Sequence, residues 1–259
     1  MKKNLLAKAA ALLFCAGLIA ALFLPAPAID LAEAFQPVSW RHLLGTTPLG
    51  QSVAAQILAG AGQTVFLAVG ALALCLAAAL LFTGLSFLLP GPAARAYAFL
   101  IDAWLSIPGI FIALSIGFFL PQSFVSVLTA LVLSEFAAIQ KFFLQRLGEV
   151  RKSDYITAAH VMGAAGGHTL AAHVLPRLGR DAGYLFFLTL PSIVLSLASL
   201  EFLGVQTGAE RLSLGMQIAI YKDYILLYPH LSLAPVAALL LLLFLLHESA
   251  KLVRGSAES

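Results

Sequence analysis

The chain has 259 residues, of which 61% are apolar and 10% charged, and its formal net charge at pH 7 is +3. Because ordinary soluble domains are about half apolar and about a quarter charged, this composition and a mean hydropathy of +0.98 exclude a water-soluble globular protein. The small net charge and the lack of any Lys- and Arg-rich block interleaved with aromatic residues also argue against nucleic-acid binding, so the sequence predicts a single membrane domain over residues 1–259.

Six apolar stretches are long enough to cross a bilayer, since a hydrocarbon core of about 30 Å needs about 20 helical residues. They are continuous and do not alternate apolar with polar residues, which favours helices over barrel strands. The sequence therefore predicts an all-α, polytopic membrane protein with about six transmembrane helices. The predicted spans are Leu5 to Leu24, Gln63 to Leu89, Tyr97 to Leu120, Phe124 to Phe143, Gly183 to Val205, and Leu231 to Lys251.

The first stretch is open to a second interpretation. A basic start, an apolar run and the small-residue tract Pro25-Ala26-Pro27-Ala28 are also typical of a cleaved signal peptide. The apolar run is long for a signal, and cleavage would leave five spans with the termini on opposite sides. A retained first span is therefore the preferred hypothesis.

The positively charged residues predict the orientation of the spans, because Lys and Arg accumulate on the cytoplasmic side. If both termini are cytoplasmic, twelve of the fifteen Lys and Arg residues lie inside, and only Arg41, Arg211 and Lys222 lie outside. This orientation makes residues 25–62 an external loop and residues 146–181 a cytoplasmic loop.

The cytoplasmic loop contains the most informative sequence. Its length exceeds the roughly 2 to 8 residues that a simple connection between antiparallel helices needs, which indicates a docking surface, with a segment lying on the membrane surface as the alternative. The pattern predicts a helix up to Met162, a break at Gly163, a short second segment and a stop at Pro176, a helix-turn-helix between spans four and five. The sequence reads Tyr155-Ile156-Thr157-Ala158-Ala159-His160-Val161-Met162-Gly163, then nine residues, then His173-Val174-Leu175-Pro176.

This loop resembles the "EAA" signature of binding-protein-dependent ATP-binding-cassette permeases, although Thr157 stands where the signature has Glu. Four further stretches resemble segments of the dipeptide, oligopeptide and nickel permeases and occur in the same order as in that family. They are His42-Leu43-Leu44-Gly45-Thr46-Thr47-Pro48-Leu49-Gly50 (similar to H-x-L-G-T-D-x-x-G, with Thr47 in place of Asp), Asp102-Ala103-Trp104-Leu105-Ser106-Ile107-Pro108-Gly109 (similar to the third span), Leu200-Glu201-Phe202-Leu203-Gly204 (similar to LSFLG) and Leu214-Gly215-Met216 (similar to WGxM).

The resemblance implies the second, shorter permease subunit of a bacterial inner-membrane importer. Such a subunit pairs with a different, longer permease, with two ATP-binding subunits and with an extracytoplasmic solute-binding protein, and it is embedded in membrane lipid. The implied cargo is peptides, nickel or metal-chelator complexes. The implied residues for coupling to the ATPase are Tyr155, Ala158, Ala159, Gly163, His173, Leu175 and Pro176.

The sequence contains no G-x-x-x-x-G-K-[ST] phosphate loop, which predicts that the chain is not an enzyme, holds no cofactor and leaves ATP to partner subunits. The alternative from another class is an ion-coupled secondary transporter that uses Asp102 and Glu135 as intramembrane charge carriers. Such transporters commonly contain internal repeats, and no convincing repeat is present here. A structural or assembly protein of the membrane is a weaker third possibility.

Four hydroxyl residues of the predicted fifth span fall at steps of three, four and three, which places them on one helical face. They are Thr189, Ser192, Ser196 and Ser199. This face either lines the translocation path or allows close helix packing, and Pro191 beside it fits both uses.

No metal site is predicted from the six histidines. They form no H-E-x-x-H pair, and His168 and His173 are five residues apart, off a common face of an α-helix. Cys15 and Cys75 lie within apolar runs, as small buried hydrophobic residues do. The absence of a G-x-S-x-G sequence and of a spaced carboxylate pair gives no support to an intramembrane hydrolase.

Overall fold

The computed structural model of the protein describes residues 28–154, 156, 162, 165–208 and 211–257, with side chains up to Lys251. Within this part of the chain there is no β-strand, only an isolated bridge between Thr46 and Ser52, and the predicted all-α fold is confirmed. The predicted first span, Leu5 to Leu24, lies outside the described residues. The helices are α1 (Val53–Leu88), α2 (Gly91–Leu105), α3 (Gly109–Phe119), α4 (Phe124–Arg151), α5 (Gly166–Phe202), α6 (Leu214–Tyr221) and α7 (Pro229–Ala257).

Four of these helices are long and apolar enough to cross a membrane. They are α1, α4, α5 and the Pro229–Lys251 part of α7. A fifth crossing is formed if α2 and α3 count together as one broken span. The described residues thus confirm a polytopic membrane protein, and the number of crossings is four or five within them.

The predicted third span, Tyr97 to Leu120, is not one straight helix. It is divided between α2 and α3, which are bent by 80° at the break after Leu105. The α region of backbone conformation is disfavoured for Ile107 because it precedes Pro108, so α2 ends there and α3 begins anew at Gly109. Sequence hydropathy misses this break because Ser106, Ile107 and Pro108, the three residues between the helices, are all compatible with an apolar span.

The helix α1 begins at Val53, ten residues before the predicted start of the second span at Gln63, so the last part of the predicted external segment 25–62 is helical. Gln56 and Gly60 lower the local hydropathy, yet both are buried. Their burial results from contact with α6, where Gln217 donates a hydrogen bond from Nε2 to the backbone carbonyl oxygen of Gln56 at 2.7 Å. With 36 residues, α1 is about 54 Å long and extends well beyond the hydrocarbon core.

The predicted loop 146–181 is also shorter, since α4 continues to Arg151 and α5 begins at Gly166. Pro176 does not stop the helix, contrary to expectation. A π-helical segment, Leu170–Val174, precedes it, and the Leu175 N–H bonds to the Leu170 carbonyl oxygen. Proline has no N–H and its ring collides with the carbonyl four residues earlier, so the wider π turn allows the helix to continue. The segment after the glycine break is therefore part of α5, and most of the predicted first helix and turn lies outside the described residues.

The core lies where α1, α4 and α5 meet, and the largest fully buried side chains include Leu67, Leu72, Leu131, Phe143 and Leu197. Small residues bring the helices close together. Ala68, Ala71, Ala79 and Ala130 are all at most 1% exposed. Since lipid is as apolar as these side chains, helix association in a membrane depends on such close packing.

Residues 28–52, which precede α1, form a compact segment that is called the cap below. Gly45 and Gly50 have positive φ angles of 74° and 70°, and a Cβ on Gly50 would lie 1.6 Å from the Asp30 carbonyl oxygen. The Thr47 hydroxyl accepts hydrogen bonds from the N–H groups of Leu49 (3.3 Å) and Gln51 (3.2 Å). An aspartate is commonly used for this turn-capping role, so Thr47 replaces the aspartate of the family pattern without loss of the turn.

Candidate functional site

Only part of the predicted coupling set lies in the described residues. Tyr155, Ala158, Ala159 and Gly163 lie outside them, so their placement remains a prediction. His173, Leu175 and Pro176 lie at the transition from the π-helical segment to the rest of α5.

The π turn also changes which residues share a face. The rings of His168 and His173 are 6.5 Å apart and nearly perpendicular, although residues five apart do not face each other on an α-helix. The expectation that they lie on different faces is therefore wrong, because it assumed α-helical geometry. Among the described residues, no group of three or more His, Cys, Asp or Glu is placed to hold a metal ion.

A cleft of about 430 Å³ lies between the end of α1 and the start of α5. Arg151 forms one wall, and its Nη2 donates hydrogen bonds to the carbonyl oxygens of Ser86 (3.2 Å) and Phe87 (2.9 Å). The guanidinium also lies 5.1 Å from the centre of the Phe87 ring. The Ser86 carbonyl oxygen also accepts from the Leu89 N–H, so the guanidinium adds a second donor there, and a cation is favourable at the C-terminal end of a helix. Ile156 and Gly166 also line the cleft, so it adjoins both ends of the coupling segment.

The structure gives the four hydroxyl residues of α5 different environments. Ser192 is exposed and donates to the Thr189 carbonyl oxygen at 2.7 Å, while Ser199 donates to the Leu195 carbonyl oxygen at 2.8 Å. These bonds within one helix leave the hydroxyls compatible with lipid, water or a neighbouring helix. Ser196 differs, because its Oγ crosses to α4 and donates to Glu135 Oε1 at 2.8 Å.

The two intramembrane carboxylates named by the sequence are also in different environments. Asp102 of α2 forms an ion pair with Lys141 of α4, with Nζ 2.5 Å from Oδ1. Glu135 forms no ion pair with any Lys, Arg or His of the described residues. It lines a cleft of about 280 Å³ at the break between α2 and α3, together with Trp104 and Pro108.

Sequence reasoning did not single out Glu201, which is completely buried near the end of α5. Neither carboxylate oxygen has a hydrogen-bond partner within the described part of the chain. The carboxylate fits against α6 only because Gly215 has no side chain, since a Cβ on Gly215 would lie 2.6 Å from Glu201 Oε2. The sequence does carry one signal for this residue, because Glu201 stands where the LSFLG pattern has serine.

A buried polar network holds the short helix α6 against α1. The Leu214 N–H donates to Thr64 Oγ1 at 2.9 Å, and the Tyr221 hydroxyl donates to Gln56 Oε1 at 2.8 Å. Burial raises the pKa of Tyr221 above its ordinary value, so the phenol keeps its proton and remains a donor. Hydrogen-bonded networks of this kind specify one packing arrangement, here at the stretch that resembles WGxM.

The fold defines a helical protein that crosses the membrane several times. Residues 76–254 match the family described as binding-protein-dependent transport system inner membrane component. This match covers more than half of the chain, and the chain belongs to that family. It is accordingly a permease component of an ATP-binding-cassette importer.

The chain is similar to several curated permeases. A putative peptide permease protein of Brucella suis biovar 1 is 27% identical over 216 residues, which are 82% of this chain and 71% of that protein. A putative peptide permease protein of Brucella abortus is 28% identical, over 68% of this chain and 59% of its own length. The oligopeptide transport system permease protein OppC of Bacillus subtilis is 22% identical, over 72% and 61%. The alignments with the last two thus span about 60% of the relatives' lengths.

Proposed function

We propose that this chain lines the translocation path of an ATP-driven peptide importer. The observation that carries the proposal is the family match over residues 76–254, together with relatives that are named peptide permeases. Peptides are proposed over nickel and metal-chelator complexes because the names of these relatives refer to peptides. The ion-coupled alternative loses its basis, since family membership assigns energy coupling to ATP and Asp102 is paired with Lys141.

The proposed assembly contains a second, longer permease, two ATP-binding subunits and an extracytoplasmic solute-binding protein. Both termini lie in the cytoplasm of a bacterial cell, and the segment between α4 and α5 faces the ATPases. The distribution of Lys and Arg supports this orientation. The sequence has no phosphate loop of its own, so ATP binds to the partner subunits and this chain needs no cofactor.

The coupling segment is proposed to transmit movement without chemistry. It connects α4 with α5, and Arg151 connects the end of α4 to the end of α1. A displacement of the segment therefore reaches three of the long helices directly. Alternating access requires only two packing arrangements close in energy, and ATP-dependent closure of the ATPases would shift the balance between them.

The test is reconstitution of the complete transporter, purified with its partner subunits, into liposomes. We expect uptake of a labelled tripeptide that requires both ATP and the solute-binding protein. Nickel and a nickel chelate serve as alternative substrates in the same assay. Uptake that needs an ion gradient but no ATP, or uptake of nickel but of no peptide, would contradict the proposal.

A further inference from the structure

Glu135 is an ionisable residue in the middle of a transmembrane helix. It is the twelfth of the 28 residues of α4, so it lies about 17 Å from the N-terminal end of the helix, near the centre of a hydrocarbon core of about 30 Å. A charged group at this depth is costly unless it faces a cavity or a partner. The environment of Glu135 therefore needs a functional explanation.

The cleft beside Glu135 exists because α2 and α3 are separate helices. Their 80° bend opens about 280 Å³ against the Ser134 to Ala138 part of α4. Leu105 and Ile107 at the rim of the cleft are 40% and 51% exposed, so the cleft opens at the surface of the subunit. Its volume is just below the range of about 300 to 1,000 Å³ that is usual for ligand sites, which suits one terminal or side-chain group better than a whole peptide.

The carboxylate has one donor and capacity for more. Ser196 donates to Oε1, whereas a carboxylate has about four acceptor sites. Lys141, the lysine of the same helix, is occupied by Asp102. No other Lys, Arg or His in the described residues lies within ion-pair distance of Glu135. The site thus combines a carboxyl group, an orienting hydroxyl and open space in a mostly apolar cleft.

We propose that Glu135 and Ser196 form a binding site for an ammonium group of the transported solute during its passage. An ammonium group has three donors, and its bonds to a carboxylate are charge-assisted and strong in an apolar setting. A metal ion does not fit, since the site has one carboxylate and one hydroxyl whereas bound metals take four or more ligands. The substrate class rests on the proposed peptide transport, and the ammonium comes either from the peptide amino terminus or from a lysine side chain.

The first measurement needs no peptide. In the reconstituted transporter, Ser196→Cys is treated with a positively charged and a negatively charged methanethiosulfonate reagent. Cys15 is replaced by serine for this experiment, and the native Cys75 is 1% exposed and gives little background. After each rate is divided by the rate of the same reagent with a free thiol in solution, we expect the positive reagent to react about tenfold faster, a difference of about 1.4 kcal/mol. Adding Glu135→Gln should abolish the preference in these normalised rates, and equal normalised rates with Glu135 intact would overturn the proposed site.

The second measurement is uptake of two tripeptides, alanyl-norleucyl-alanine and alanyl-lysyl-alanine. If the peptide amino terminus binds, Glu135→Gln should lower the uptake of both tripeptides about tenfold. If the lysine side chain binds, Glu135→Gln should lower only the uptake of alanyl-lysyl-alanine. Glu135→Asp should retain more uptake than Glu135→Gln. Glu149→Gln is the matched control, because Glu149 lies on the same helix but is 66% exposed and paired with Arg146.

The outcomes separate the site from the transported solute. Wild-type uptake of both peptides with no loss in Glu135→Gln would overturn the ammonium site. A preference for the positive reagent without any peptide uptake would support the cation site and reject peptides as the solute. Equal losses in Glu135→Gln and Glu149→Gln would show a general effect of removing charge from α4 and would also overturn the proposal.

Discussion

The guanidinium of Arg151 donates a hydrogen bond to the Phe87 carbonyl oxygen at 2.9 Å, which joins the last residue of α4 to the end of α1. The two residues are 64 positions apart in the chain. The bond lies beside the segment that leads to α5, so it stabilises the base from which that segment departs.

We expect Arg151→Gln to weaken the connection between α1 and α4. Losing a charged donor to two carbonyl oxygens costs about 1.5 to 3 kcal/mol, so the melting temperature of the purified complex should fall. Stimulation of ATP hydrolysis by the binding protein should fall too, because the end of α4 beside the coupling segment is no longer bonded to the end of α1. Arg177→Gln, at an exposed position of α5, is the control. Equal behaviour of both variants would contradict a specific role for Arg151.

The coupling assignment is tested by Gly163→Asp. A charge placed at a protein interface without a partner costs several kcal/mol, whereas at a hydrated membrane surface it costs little. We expect normal insertion, with loss of both transport and binding-protein stimulation of ATP hydrolysis. The matched control is Gly179→Asp, because Gly179 is exposed and has open space around its Cα. Wild-type transport by Gly163→Asp with ATPases still attached would show that the docking assignment is wrong.

The hydroxyl face of α5 is tested with bulky side chains. Ser192 is exposed and bonds only to its own helix, so Ser192→Leu should assemble normally. If the face lines the path, Ser192→Leu and Ser196→Leu should both reduce ATP-driven uptake while the ATPases remain bound. Failure of Ser196→Leu to assemble would favour the packing interpretation, and unchanged uptake in both variants would reject both interpretations.

Gly215 should be intolerant of even one methyl group. A Cβ there would lie 2.6 Å from Glu201 Oε2 and 2.7 Å from the Ala198 Cα, and such overpacking costs about 1 to 3 kcal/mol. We expect Gly215→Ala to lower the melting temperature of the complex. Gly183→Ala is the control, because nothing lies within 4 Å of the point that its Cβ would occupy and alanine favours a helix by about 1 kcal/mol. A Gly215→Ala protein as stable as wild type would contradict the close approach of α5 and α6.

The orientation is tested by thiol labelling. Ser39 is exposed in the cap before α1, so Ser39→Cys should react with a membrane-impermeant reagent in spheroplasts. Arg177→Cys, on the side predicted to be cytoplasmic, should react only after lysis. The reverse pattern would invert the topology.

Several properties of the protein follow from sequence composition and local pattern. Continuous apolar runs predict helices in a membrane, because an unpaired backbone polar group is too costly in lipid for other structures. The ordered family motifs predict the permease class because they are local in sequence. The steps between Thr189, Ser192 and Ser196 predict a shared face for the same reason.

The tertiary structure decided the features that depend on distant residues. Hydropathy does not show that Gln56 is buried, since its partner Gln217 lies more than a hundred residues away. The contact between Glu135 and Ser196 joins two helices, and the cleft beside them depends on a break at Ile107 and Pro108 that a hydropathy average passes over. Helical periodicity specifies how one helix presents its side chains, but which face meets which neighbour is determined only when the helices pack together.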